Sequence, residues 1–187
     1  GKVLWASLRI EDPYTLTGYR ITNGWARENY VYFATHFSKP VAHYGYQDFG
    51  KQDYNGFWRR FDLNHDFPEM AGRKGVAWLE FERMDDNPVL EVSVSLSAVG
   101  TDGAELNWVK ESIGVTKPFF DIFYQKAKQA WNNKLGIYEA QGTPDQLAMF
   151  YTSLYHTMIN PSVYQDVDGK YRGVDHNIHQ NLEGYTN

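Results

Sequence analysis

The sequence predicts a mainly β chain with its helices gathered toward the C-terminus: an antiparallel β-sandwich followed by two amphipathic helices and a polar loop. Three observations carry this. Up to about residue 100, apolar residues recur with period 2 between turn signals such as Asp12-Pro13, Asn23-Gly24 and Lys39-Pro40. From Thr101 the apolar period changes to 3.6. Aromatic residues make up 17% of the chain, as a β-rich core favours; the sharper reading of the same excess is sugar stacking on aromatic faces.

In residues 3–11, Leu4, Ala6, Leu8 and Ile10 face one way and Trp5, Ser7, Arg9 and Glu11 the other, which makes a half-buried strand. A second strand is predicted over 15–21, and Asn23-Gly24 signals a hairpin turn. The run 30–37, with Val31, Phe33 and Phe37 on one face, and the run 41–47 complete a meander. Residues 48–74 mix Gly, Pro, aromatic and charged residues, so a long hairpin or insertion is expected, with a strand over 56–62. Strand patterns resume at 75–83 and at 89–97. In the second, Leu90, Val92, Val94 and Leu96 alternate with Glu91, Ser93, Ser95 and Ser97.

A short helix over 102–111 would carry Leu106 and Val109. A longer one over 118–134 has a stripe of Phe120, Phe123, Ala127, Ala130 and Trp131, with Gly136 just beyond its end. An extended link at 137–140 leads to a third helix over 144–159. Its start is written out in full: Thr143 as N-cap, Pro144 as first helical residue and Gln146 as capping-box partner. Its stripe is Leu147, Phe150, Tyr151, Leu154 and Met158, and Asn160-Pro161 stops it. The stripe of Phe150, Leu154 and Met158 is expected to be buried against Phe123, Ala127 and Trp131. The predicted division is a β-sandwich part at 1–116, a helical linker at 117–142, and a helix with its loop at 143–187.

The net charge of −5 and the lack of any Lys/Arg run speak against a nucleic-acid partner. No apolar run approaches the ~20 residues of a transmembrane helix, and no signal-peptide pattern is present. The absence of cysteine excludes a disulfide framework and a thiolate metal site. The chain opens on a strand pattern and closes with no element finished, so a piece of a longer polypeptide is expected.

The chemistry is expected in the polar, aromatic run Tyr164, Asp166, Asp168, Gly169, Tyr171, Arg172 and Asp175, which the third helix delivers as a loop. The carboxylates in a site context are Asp166, Asp168, Asp175 and Glu183; Asp166 and Asp168, two apart, could share a face as a pair, but Asp-Val-Asp-Gly reads first as an ordinary turn. An EF-hand is rejected, because from Asp166 the third acid is missing, Gly169 falls at position 4 and Asn177 at position 12. Arg172 and Asp175 are the predicted substrate ligands, since charged, forked donors and acceptors bind vicinal hydroxyls well; the alternative is an ion pair bracing the loop. His156 reads as a packing residue. His176 and His179 lack a third metal ligand, and Trp25, Trp58 and Trp78 read mainly as sheet packing. No catalytic residue and no metal ligand is assigned.

Three stretches, at 16–40 (LTGYRITNGWARENYVYFATHFSKP), 127–146 (AKQAWNNKLGIYEAQGTPDQ) and 150–175 (FYTSLYHTMINPSVYQDVDGKYRGVD), together resemble glycoside hydrolase family 92, the exo-acting α-mannosidases. The resemblance implies a sandwich joined by helices to a C-terminal (α/α)6 barrel, of which this chain would hold the first helix. It implies an extracytoplasmic protein that hydrolyses terminal α-linked mannose, for example of N-glycans, with inversion. A calcium ion would hold mannose O2 and O3, and a glutamate acid and an aspartate base would stand roughly 6.5–9.5 Å apart. In the family those carboxylates and the calcium ligands come from the barrel, beyond this chain. The expected partners are a mannose-containing glycan and the remainder of the barrel. The isolated chain is therefore expected to be inactive. The other reading of the residues is a non-catalytic carbohydrate-binding β-sandwich module, against which the two amphipathic helices and unfinished loop argue.

Overall fold

The computed structural model describes residues 1–24, 26–47, 69–83, 88–115 and 119–181. Its β part begins with β1 (Lys2–Asp12), β2 (Thr15–Asn23) and β3 (Asn29–Phe37), an antiparallel meander in which Leu8 sits opposite Gly18 and Gly18 opposite Phe33. β4 (Val41–Gln47) pairs with β6 (Val76–Phe81) in a separate two-stranded sheet. β5 (Glu69–Gly72) and β7 (Val92–Ser97) close the larger sheet, whose order is β5-β1-β2-β3-β7. Phe37 of the larger sheet and Phe81 of the smaller meet with ring centroids 5.0 Å apart. The architecture is an antiparallel β-sandwich followed by helices, as the periodicity predicts.

β5 falls in the stretch expected to be a loose insertion. It is placed by pairing with β1, Met70 opposite Leu8, and Met70 is buried. The strand predicted over 56–62, and Trp25 and Trp58, lie outside the described residues. Trp78 packs on Gly45, its partner in the β4–β6 pair, and stays 44% exposed.

Two expectations need correction. The strand predicted over 89–97 forms only at Val92–Ser97, and its covered side is the serine side: Ser95 and Ser97 are buried, whereas Val94 and Leu96 are 57% and 59% exposed. The reason is α1 (Thr101–Glu111), which lies on the serine face and offers polar partners there. Ser95 Oγ donates to the Ala104 carbonyl at 2.6 Å, Trp108 Nε1 donates to Ser93 Oγ at 3.0 Å, and Asn107 Nδ2 donates to the Leu96 carbonyl at 2.9 Å. Trp108 also stacks on His36 of β3, 3.9 Å between centroids, and His36 Nε2 lies 3.1 Å from Glu105 Oε2.

The second correction concerns α2 (Phe119–Leu135) and α3 (Pro144–Thr157). Both form where the 3.6 period predicts, and α3 shows the full capping box: Thr143 Oγ1 accepts from the Gln146 amide at 3.4 Å, and Gln146 Oε1 accepts from the Thr143 amide at 2.9 Å. The packing differs. α3 buries no residue fully, Phe150 is 41% exposed, and Phe119 is the buried residue of α2. The helices touch instead through Trp131 and Tyr155, edge to face at 4.6 Å, and Tyr151 Oη of α3 donates to the Tyr138 carbonyl in the link between them at 2.9 Å. Tyr155 stands one residue beside the predicted stripe, so the seam is rotated away from Phe150 and Met158. The first two amides of α2, at Phe119 and Phe120, donate to the Glu91 carboxylate at 2.8 and 3.1 Å, which ties the start of that helix to the residue just before β7. Among the described residues, no helix is long and apolar enough to cross a membrane.

Candidate functional site

The polar loop forms a turn and a hairpin docked on the sandwich. Asp166 to Gly169 is a turn, closed by the Gly169 amide donating to the Asp166 carbonyl at 2.8 Å, as Asp-Val-Asp-Gly predicts. Asp168 Oδ1 accepts from the Lys170 amide, and Lys170 Nζ bonds Asp168 Oδ2 at 2.6 Å. That lysine contact, first among its causes, holds the Asp168 carboxyl below the usual range and raises Lys170 in turn.

β8 (Lys170–Arg172) and β9 (Ile178–Gln180) then pair, with Tyr171 opposite His179 and their rings 5.5 Å apart. Between them Gly173 starts a tight turn in which its amide donates to the Asn177 carbonyl at 2.9 Å. A Cβ at position 173 would stand 2.5 Å from Asp175 Oδ1 and 2.7 Å from the His179 ring, so only glycine lets these two side chains meet. They do meet: His179 Nε2 lies 3.0 Å from both Asp175 oxygens, and Asn177 adds its side-chain and backbone N–H groups. The His179 contact, ahead of the Asn177 bonds, pulls the Asp175 carboxyl far below the usual carboxylate range. Asp175 and His179 remain exposed, and the turn carries Val174 fully into solvent.

Arg172 does something else. Its Nε donates to the Ala98 carbonyl at 2.8 Å, Nη2 to the Val99 carbonyl at 3.1 Å and Nη1 to the His176 carbonyl at 2.9 Å. Its guanidinium lies over the Tyr30 ring at 4.3 Å. Tyr30 donates to Glu28, which raises its phenol pKa, and meets the His176 ring edge-on. Arg172 thus ties the hairpin to the β7–α1 connection, and its N–H groups point at main-chain oxygens. The two predicted ligands stand on one hairpin but do not pair with each other. His156 lies in α3 beside Tyr155.

Asp166, expected from its sequence to be a turn residue, is among the most buried polar residues, 4% exposed. It lines a groove of about 440 Å³ with Tyr30, Leu96, Asn107, Val163 and Tyr164. Glycine at position 103, inside α1, is the signal that bore on it. Among the described residues no three His, Asp or Glu side chains converge as metal ligands. The described residues therefore supply no carboxylate cluster for a calcium ion.

Residues 103–187 match the model of the glycosyl hydrolase family 92 catalytic domain. The structure superposes with a TM-score of 0.80 on a family GH92 α-mannosidase of Bacteroides thetaiotaomicron, BT3965, at 33% identity over 98% of this chain and 24% of that one. The chain belongs to glycoside hydrolase family 92. The same Bacteroides enzyme has been solved in complex with mannoimidazole, and that structure matches equally well, with TM-score 0.80, 33% identity, and 98% and 23% of the two chains covered. An inverting GH92 mannosidase of the same organism, BT2199, matches with TM-score 0.75 at 27% identity over 97% of this chain and 23% of that one. The family 92 chain described here thus spans about a quarter of the length of the structures it matches. No curated protein sequence matches it.

Proposed function

We propose that this family 92 chain is part of a glycoside hydrolase that removes terminal α-linked mannose from glycans, N-glycans included, by inverting, calcium-dependent hydrolysis. The observation that carries the reading is the 33% identity, over 98% of the chain, to an α-mannosidase whose structure with mannoimidazole it also matches. Inversion has its support in the likeness to BT2199. The extracytoplasmic location and the calcium rest on the family resemblance. We place the end of the sandwich near residue 117, where the helical linker begins, and the start of the barrel part at residue 143.

Within this chain the residues offered to the glycan are on the hairpin. Asp175 supplies an acceptor that is ionised throughout the neutral range, and His179, opposite Tyr171, supplies the ring beside it. Arg172 serves the site by holding the hairpin, its N–H groups being spent on carbonyls. The carboxylates of the polar loop are engaged: Asp166 is buried, Asp168 is bonded to Lys170 and Asp175 to His179. The acid and base, and the ligands of the calcium that would orient the sugar, are then assigned to the remaining three-quarters of the polypeptide. The test is proton NMR of the natural-length protein acting on an α-linked mannobiose, with and without a calcium chelator. The reading expects β-mannose as the first product and loss of turnover on chelation. Release of α-mannose first, or no mannose from any α-linkage, contradicts it.

A further inference from the structure

We infer that Asp166 is a positioning residue: its buried carboxylate is the peg by which the β-sandwich fixes the hairpin that carries Asp175 and His179. The naming of that hairpin as a glycan contact rests on the function proposed above; the peg itself rests on geometry. Two elements, β7 and α1, converge on it. Ser97, the last residue of β7, donates Oγ–H to Asp166 Oδ2 at 2.6 Å. Asn107 of α1 donates Nδ2–H to Asp166 Oδ1 at 2.9 Å, and its own Oδ1 accepts from the Val167 amide at 2.8 Å. Gly103, in the first turn of α1, has no side chain where one would collide: a Cβ there would stand 2.3 Å from Asp166 Oδ2 and 2.7 Å from Ser97 Oγ.

The network admits a carboxylate and nothing else of that size. Ser97 Oγ already accepts from the amides of Val99 and Gly100, at 2.9 and 3.3 Å, so its proton must go outward to an acceptor. Asn107 Nδ2 has its second proton on the Leu96 carbonyl, so it too can only donate to residue 166. Both oxygens of Asp166 therefore face donors, and an amide would bring a donor against a donor in a buried place. The first turn of α1 adds the positive end of a helix whose N-cap residue, Gly100, makes no side-chain cap. Glycine within a helix is unfavourable, and this packing explains its presence. Beyond the peg the chain is rigidly spelled out: the Asp166 amide donates to the Lys170 carbonyl and the Asn181 amide to the Gly169 carbonyl, both at 2.8 Å, so a shift of Asp166 carries both strands of the hairpin.

The experiment uses two variants of the natural-length protein, Asp166→Asn and Gly103→Ala, with amide hydrogen exchange and mannoside kinetics as readouts. Gly103→Ala separates positioning from stability, because helix propensity alone predicts a firmer α1. The inference expects exchange at the Gly173, His176 and Asn181 amides to quicken about tenfold or more in both variants, while β1 and β2 amides stay within about twofold of wild type. It also expects KM for an aryl α-mannoside to rise more than kcat falls, since Asp175 and His179 hold the ground state and the transition state alike. Unchanged exchange in the hairpin overturns the inference. Exchange quickened equally in β1 and β2 also overturns it, for Asp166 would then only stabilise the fold. If the wild-type protein hydrolyses no α-mannoside, the functional reading fails on its own, and the exchange data still decide the peg.

Discussion

The carboxylate of Glu91 binds the first two amides of α2 from 28 residues earlier in the chain, and its removal gives a graded, measurable loss. These are bonds to orphan amides at a helix start, where a cap contributes typically ~1 kcal/mol. Hydrogen bonds to a charged acceptor are worth about 1.5–3 kcal/mol net each, and a half-exposed side chain belongs at or below the low end. Glu91→Ala should therefore cost about 2 kcal/mol, since the part-buried Phe119 amide and the exposed Phe120 amide both lose this acceptor. For a chain of this size that corresponds to a melting point lower by about 4–8 °C. Glu91→Gln keeps one acceptor oxygen and should lose about half as much. Glu82→Ala, which removes one negative charge at an exposed position, serves as control and should shift the midpoint by less than ~1 °C. The assay is calorimetry, with amide exchange across α2 read beside it. The order Glu, Gln, Ala in falling stability is the expected result. A midpoint and an α2 exchange rate both unchanged in Glu91→Ala would refute the cap.

Three further outcomes follow from the same geometry. Leu154→Ala should cost only about 1 kcal/mol in urea unfolding of this chain, because the α3 stripe is half-buried here; a cost of 3 kcal/mol or more would mean the site is fully packed. Trp108→Phe should destabilise by about 1–2 kcal/mol through loss of the Nε1 bond to Ser93, and an unchanged denaturation midpoint would contradict that bond's role. The folded-state pKa of Asp175 is depressed, so its contribution to hairpin order is fully present above the unfolded carboxylate value, ~3.9, and fades as pH falls through the lower folded value. Carbon-13 NMR of the Asp175 carboxyl should show no titration near pH 4, and an ordinary midpoint there would contradict the His179 and Asn177 contacts.

What could be read from the sequence was what neighbours in sequence decide. The capping box at Thr143 and Gln146 is spelled within four residues, and so are the strands that a period of 2 marks. The alternation of 92–97 reveals a strand but carries no sign of which face is covered; that is settled by α1, whose Asn107 and Trp108 give the serines partners. The site was legible in place and illegible in role. Arg172 and Asp175 sit where the loop was expected, yet Arg172 spends its guanidinium on Ala98 and Val99, some 73 residues back along the chain. Asp166, whose local sequence reads as a turn, finds Ser97 and Asn107 at separations of 69 and 59 residues. No local pattern encodes such partners, although a glycine inside a helix, at position 103, marks where something must come close.

The most direct test of the account compares two purified proteins on one aryl α-mannoside: the 187-residue chain, and the natural-length polypeptide that contains it. Calcium is present in both assays. The account predicts turnover by the longer protein alone, because the loop carboxylates Asp166, Asp168 and Asp175 are each engaged in holding structure and the reacting pair is assigned elsewhere. Mannose release by the 187-residue chain that persists through repurification would contradict it.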